Sequence, residues 1–205
     1  RVREAAAACS TPVVVAMLGA EGTTLDGAAA DAAALLGHTL PPPPSWPTPR
    51  TRPARAGVLR GLYSGGTLCE EAATIVAADP DPPEHLLVDL GDDEFTRGRP
   101  HPMIDNRLRL EHLADAADDP ATAVILLDVV LGHGAHPDPA AELAPAVRHA
   151  AERGAAVVVS LCATRDDPPG RDRQAAALQE AGASVWLSNT AAARHAVTLA
   201  RGEES

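Results

Sequence analysis

The sequence predicts an α/β fold, a parallel sheet with helices on both faces. Three observations lead there. Apolar runs such as AVILLDVV (Ala123–Val130) are nearly unbroken, as strands buried on both faces require. They alternate through short loops with longer segments of helical spacing, the pattern of successive strand–helix–strand units. Glycine-rich turns follow several of the runs, and right-handed crossovers put all such turns at one edge of the sheet, outside the carboxyl ends of the strands, where ligands sit.

Taken in order, Thr11–Leu18 (TPVVVAML) reads as a strand. Thr24–Leu36, with Leu25, Ala28, Ala32 and Leu35 in helical spacing, reads as a helix. This β–α unit is too small to bury its own apolar face, so residues 1–40 are expected to be the end of an upstream domain. The chain begins at Arg1 and not at Met, and a longer parent protein is expected. Pro41–Pro53 (PPPPSWPTPRTRP) is extended and semi-rigid in character, a linker that closes by residue 55. From residue 56 to 205 the alternation is regular. Strands are expected at Gly57–Tyr63, His85–Leu90, Ala123–Val130, Ala155–Leu161 and Ser184–Leu187. Helices are expected at Thr67–Ala78, Asp105–Ala117, Ala140–Arg153, Arg171–Ala181 and Thr190–Ala200.

Composition narrows the function. A hydrophobic content of 45% supplies a core, and an aromatic content of 2% means that Ala, Val and Leu must build it. A net charge of −11 leaves no basic surface to release counterions from nucleic acid. No apolar run reaches the length of a membrane span and no signal peptide is visible. Cys9, Cys69 and Cys162 are odd in number and widely spaced, neither a disulfide framework nor a zinc pattern, so a cytoplasmic setting is expected.

Three turns carry the candidate chemistry. In Ser64-Gly65-Gly66-Thr67 the glycines admit a ligand close to the backbone, while the hydroxyls can donate to an oxyanion or cap the helix. In Asp89–Asp105 (DLGDDEFTRGRPHPMID), Arg97 and Arg99 offer fork-shaped donors for carboxylate or phosphate. Pro100 and Pro102 stiffen the backbone around His101, and Asp105 can cap the next helix. In Gly132-His133-Gly134-Ala135-His136-Pro137-Asp138 the two histidines and Asp138 invite a metal. Pro137, Pro139 and a capping Asp138 instead make this a helix start, so an anion is the preferred ligand and no metal is expected. Asp128, inside an apolar strand, needs a partner if buried. Cys162 and Cys69 have no evident activating base and read as small half-buried residues. Arg165 and Asn189 are secondary candidates.

GLYSGGTLCEEA, VDLGDDEFTRGRPHPMID and ILLDVVLGHGAHPDPA together resemble FdrA-family proteins, of the succinyl-CoA synthetase (CoA-ligase) superfamily, over about Gly57–Ala200. The resemblance implies a flavodoxin-like sheet, a CoA-ligase domain at residues 56–205, and a preceding ligase-type domain of which residues 1–40 are the end. It also implies that Gly132–His136 is similar to the glycine turn before a phosphate-facing helix in the synthetase β subunit. The GHAGA-type motif that carries the phosphorylated histidine in those synthetases is absent from Arg1–Leu36, so the role is not carried to His101 or His136. Some FdrA-like proteins are understood to be components of an oxamate carbamoyltransferase in allantoin breakdown, and that chemistry needs phosphate and a small carboxylate but no phosphohistidine. The expectation is therefore phosphate, acyl phosphate or carbamoyl phosphate bound at Ser64–Thr67 and Gly132–His136, with Arg97, Arg99 and His101 orienting substrate or moving a proton. Partners would be other subunits or the preceding domain, and the isolated piece is expected to be inactive. One alternative is an acyl-CoA synthetase subunit that uses CoA or a nucleotide. Another is a non-catalytic assembly domain.

Overall fold

The apolar runs form the sheet that their pattern demands. The computed structural model describes residues 1–18, 22–48, 55–79 and 84–203. Two helices come first, α1 (Val2–Ala7) and α2 (Leu25–Leu35), then a two-residue strand β1 (Ser45–Trp46). The regular alternation follows as β2 (Val58–Tyr63), α3 (Gly66–Ala77), β3 (Leu86–Asp89), α4 (Asp93–Thr96), α5 (Arg107–Asp118), β4 (Thr122–Val130), α6 (Pro139–Glu152), β5 (Ala156–Cys162), α7 (Arg171–Glu180), β6 (Ala183–Trp186) and α8 (Asn189–Ala200).

The sheet order is β1-β6-β5-β4-β2-β3. All neighbours are parallel except β1, which runs antiparallel to β6. The chain leaves β2 for the edge at β3, then crosses back to lay β4 on the other side of β2. That reversal makes the carboxyl ends of β2 and β4 the switch point of a flavodoxin-like α/β fold.

Alternating residues of each strand feed two cores. On one face Ile125, Leu127, Val157 and Val159 pack with Leu113, Leu143, Val147 and Leu178 of α5, α6 and α7. On the other, Leu59, Val124, Leu126 and Val158 pack with Ala72, Val76, Ala192, Ala196 and Leu199 of α3 and α8. Small alanines on α8 let its backbone lie close to the sheet, which is how a core almost without aromatics closes. Gly61 follows the same logic, because a methyl group there would fall 2.6 Å from the Leu87 side chain on the next strand.

Two expectations are corrected. Thr11–Leu18 forms no strand. A strand needs a partner for its N–H and C=O groups, and this segment pairs with no strand among the described residues, leaving Val13 and Met17 exposed. The proline-rich stretch is also more than a spacer. Ser45 and Trp46 pair with β6, Leu187 N–H donates to Pro44 O, and the Thr48 hydroxyl donates to Ala183 O at 2.6 Å. The linker thereby covers an edge that would otherwise present unpaired backbone. Residues 49–53 of that stretch lie outside the described residues. The helix expected at Thr24–Leu36 is α2, started by Thr24, whose Oγ1 accepts the Gly27 N–H. The short helices α1 and α4 carry no apolar stripe that would have announced them. Among the described residues no helix is long and apolar enough to cross a membrane.

Leu127 is fully buried in β4 at the centre of the sheet. Leu127→Ala is expected to destabilise the fold by about 3 kcal/mol, a methylene loss plus a cavity, read as a lower urea midpoint at unchanged slope.

Candidate functional site

At the switch point β2 runs out through Ser64 into Gly65, the N-cap residue of α3, which has no side chain to close the helix. A helix begins with N–H groups that have no partner within it. Here the residues that carry them, Gly66, Thr67 and Leu68, line a cavity of about 400 Å³ together with Ser64, Asp89, Gly91, His101, Met103, Val130 and Cys162. Asp89, Val130 and Cys162 come from the carboxyl ends of β3, β4 and β5.

A buried charge pair lies beneath the cavity. Asp128 is fully buried, and its carboxylate accepts the Ser64 N–H at 2.7 Å and the Ser64 hydroxyl at 2.9 Å. Arg109 of α5, only 2% exposed, donates to Asp128 Oδ1 at 3.2 Å and to the Asp128 backbone oxygen at 2.5 Å. Burial pushes the Asp128 carboxyl up, while Arg109 and the two Ser64 donors pull it back. The Ser64 hydroxyl proton is thus committed to Asp128, so this hydroxyl holds the turn and has no proton to offer a ligand.

The wall opposite α3 is the loop after β3. Asp89 Oδ1 accepts the Gly91 N–H at 2.8 Å. The Nδ1 of His101 accepts the Met103 N–H at 3.2 Å, so the neutral ring carries its proton on Nε2 and acts there as a donor. A methyl group on Gly91 would sit 2.6 Å from Ser64 O, 2.7 Å from His101 Nε2 and 3.1 Å from Asp89 Oδ1. Only glycine lets these three groups converge. Burial, then Asp89 and Asp128, push the Cys69 thiol up to about 11, and burial with Asp128 and Asp167 raises Cys162. Both sulfurs are protonated at neutral pH and neither is an activated nucleophile.

Of the residues singled out by sequence, the cavity gathers Ser64, Gly65, Gly66, Thr67 and His101, with Asp128 directly beneath. It does not gather the others. Arg97 and Arg99 are exposed on the far part of the loop, and among the described residues neither guanidinium is in an ion pair. Asp105 accepts the Arg107 N–H at the start of α5 and pairs with the Arg107 guanidinium at 2.6 Å, which holds its carboxyl down at about 2. Arg165 is exposed, and Asn189 bonds to Tyr63, Glu71 and Leu68 O on the α3–α8 side.

The Gly132–His136 turn also lies off the cavity lining. Gly132 and Gly134 shape it, His133 is exposed, and His136 is held at its backbone N–H and at both ring nitrogens. Its N–H donates to Met103 O at 2.7 Å, Nδ1 accepts the Asp138 N–H at 3.1 Å, and Nε2 lies 3.1 Å from Glu142. The start of α6 behind it is closed by protein groups, with Ala140 N–H on Gln174 and Ala141 N–H on Asp138. This turn is bonded to Met103 and lies outside the cavity that Ser64–Thr67 line. Among the described residues no group of three or more His, Cys, Asp or Glu is positioned to hold a metal.

Asp89, Gly91, Met103 and Arg109 were not singled out by sequence. Arg109 left a signal, since it sits one turn before Leu113 on the buried stripe of α5. It is a lone cation on an apolar face, matching the lone carboxylate in β4.

Residues 62–199 match the profile of the CoA-ligase family. The chain belongs to that family. It is also similar to the uncharacterised protein YahF of Escherichia coli strain K12, 32% identical over 93% of this chain. The chain spans 45% of the length of that relative.

Removing Arg109 alone leaves Asp128 buried without its cation. Arg109→Leu is expected to cost about 3–5 kcal/mol, and Arg109→Leu combined with Asp128→Asn less. The sign with pH follows from the raised carboxyl. Losing Arg109 lifts the folded-state value further above the unfolded one, so stability present at low pH is lost as pH rises through the folded value. The penalty of Arg109→Leu, measured by urea unfolding, should therefore be larger near pH ~8 than near pH ~4.5.

Proposed function

We propose that the chain is the CoA-ligase-type part of an FdrA-like protein and that the cavity at the head of α3 binds phosphate or an acyl or carbamoyl phosphate. The observation that carries this is the uncapped first turn of α3 lining a cavity beside a histidine whose Nε2 is a donor. In this reading residues 1–40 end a preceding ligase-type domain, residues 41–55 connect, and residues 56–205 form the CoA-ligase domain. The active assembly includes other subunits or that preceding domain, in the cytosol.

The reaction that suits these groups is carbamoyl transfer to phosphate. In oxalurate the bond between the carbamoyl carbon and the oxamate nitrogen breaks, a phosphate oxygen bonds to that carbon, and a proton passes to the nitrogen. The products are carbamoyl phosphate and oxamate. Pre-aligned backbone donors would hold the phosphate, and His101 would steady the oxygen on which charge develops or supply the proton. Arg97 and Arg99 would draw an anion toward the cavity mouth through the field of a chain that is otherwise acidic.

Membership of the CoA-ligase family favours a second reading, acyl-CoA or nucleotide chemistry. The lining itself includes no arginine or lysine side chain. CoA and nucleoside triphosphates carry several phosphates that call for several cations. The chain has no lysine, and Arg109, the arginine beneath the cavity, is already neutralised by Asp128. A small anion fits this donor set better.

Calorimetric titration of the intact protein with phosphate, carbamoyl phosphate and CoA tests the choice. Binding of the two phosphates, weakened at least about tenfold in His101→Ala, is expected. Tight CoA binding without phosphate binding would overturn it.

A further inference from the structure

A second buried acid, on α3, takes no part in the cavity lining. Glu71 is only 2% exposed and is in no ion pair among the described residues. Three neutral donors meet it instead. The Leu25 N–H of α2 donates to Oε1 at 2.6 Å, the Thr190 hydroxyl to Oε1 at 3.2 Å, and Asn189 Nδ2 to Oε2 at 2.7 Å. The same Asn189 Nδ2 donates to Leu68 O at 3.0 Å, and Asn189 Oδ1 accepts the Tyr63 hydroxyl at 3.2 Å. Tyr63 ends β2 immediately before Ser64, and Leu68 lies in the first turn of α3 and on the cavity wall. One run of hydrogen bonds therefore leads from α2 through Glu71 and Asn189 to the backbone that shapes the cavity. Its far end is weakly held. No side chain of α2 is buried, and among the described residues two hydrogen bonds join α2 to the domain, Leu25 N–H to Glu71 and the Ser188 hydroxyl to Asp26. A segment with so few buried contacts opens at low cost.

We propose that Glu71 is a positioning residue, which ties the docking of α2 to the setting of Tyr63 and of the first turn of α3. With α2 in place, both oxygens of Glu71 meet a short donor. Without the Leu25 N–H, Oε1 keeps only the longer bond from Thr190, and a buried acceptor is left short of a donor. Glu71 and Asn189 then readjust together. Asn189 shares its Nδ2 between Glu71 and Leu68 O and gives its Oδ1 to Tyr63, so the readjustment reaches the cavity turn. The helix before the proline-rich stretch thereby acts on a cavity that it does not line. The consequence for ligand binding rests on the anion reading above, and the link itself does not.

Tyr63 is the one tyrosine of the chain, so fluorotyrosine labelling gives a single fluorine NMR resonance at the end of the link. Leu25→Pro removes the donor while leaving α2 able to form. Leu25 is the first residue of that helix, where proline is accepted, and Thr24 before it is already extended at φ −120° and ψ 158°, as a residue ahead of proline must be. The Tyr63 resonance is expected to move at an unchanged melting temperature. Inorganic phosphate, titrated calorimetrically into the intact protein, is expected to bind between about twofold and thirtyfold more weakly. Leu25→Ala, which keeps the N–H, is expected to change neither. Should the proline variant melt early, Asp26→Ala loosens α2 from the Ser188 side, leaves the partners of Glu71 in place and reads the same two signals. An unmoved resonance overturns the link and leaves the anion reading standing. A moved resonance with unchanged phosphate affinity overturns the positioning role and also leaves that reading standing. If the wild type binds no phosphate, the anion reading falls, and the resonance alone decides whether Glu71 joins α2 to Tyr63.

Discussion

The site depends on one buried ion pair. Asp128 sits in the middle of the sheet, where an isolated carboxylate would be driven to protonate. It stays useful as an anion because Arg109 reaches it from α5 and Ser64 gives it both an N–H and an O–H. Those contacts fasten three elements at one point, the end of β2, the carboxyl-terminal part of β4 and the first turns of α5. The Ser64 N–H bond fixes where the backbone leaves β2, and hence the direction in which α3 begins. Because the pair is internally neutral, it sets geometry without lending the cavity a charge.

That neutrality matters because of a near-symmetry in the sheet. Asp89 lies opposite Tyr63 on one side of β2, and Asp128 follows Leu127, which lies opposite Leu62 on the other. Two aspartates therefore flank the end of the same strand. One is buried and saturated with donors, and the other lines the cavity with one oxygen open. Burial and partners give the same residue type different surroundings, a saturated carboxylate inside the sheet on one side and a carboxylate on the cavity wall on the other. The glycines follow from this crowding, since Gly66 and Gly91 occupy the two places where any side chain would strike Asp89.

The fold was legible in the sequence because a doubly covered parallel strand is apolar at nearly every position, and VILLDVV or VVVSL, each with one polar residue, can be little else. The exceptions have a physical reason. TPVVVAML has strand composition but finds no partner, and propensity without pairing does not make a strand. The site was half legible. Glycines after a strand mark close approach of backbone, so Ser64–Thr67 could be read, and prolines around His101 marked a held imidazole. Gly132–His136 carries the same turn signature, yet its helix is closed by Gln174, thirty-four residues further on, and no local pattern reveals a cap supplied from another helix. Arg97 and Arg99 drew attention as charges in a special loop. The arginine that matters to the geometry, Arg109, was hidden inside an ordinary amphipathic helix.

The difference between the two glycine turns shows what separates a helix start that is part of the scaffold from one that can serve a ligand. Both follow parallel strands and both aim a dipole at the same edge of the sheet. At α6 the chain spends Asp138, Gln174 and Arg173 to satisfy the terminal N–H groups and then to satisfy the cap itself. At α3 it supplies glycine as the cap residue and turns the nearest hydroxyl, Ser64, away to Asp128. With glycine as the N-cap residue, the missing side-chain cap costs only roughly a few tenths of a kcal/mol. The fold thus closes the first turn of α6 with two side chains and leaves the first turn of α3, beside a cavity, without any side-chain cap.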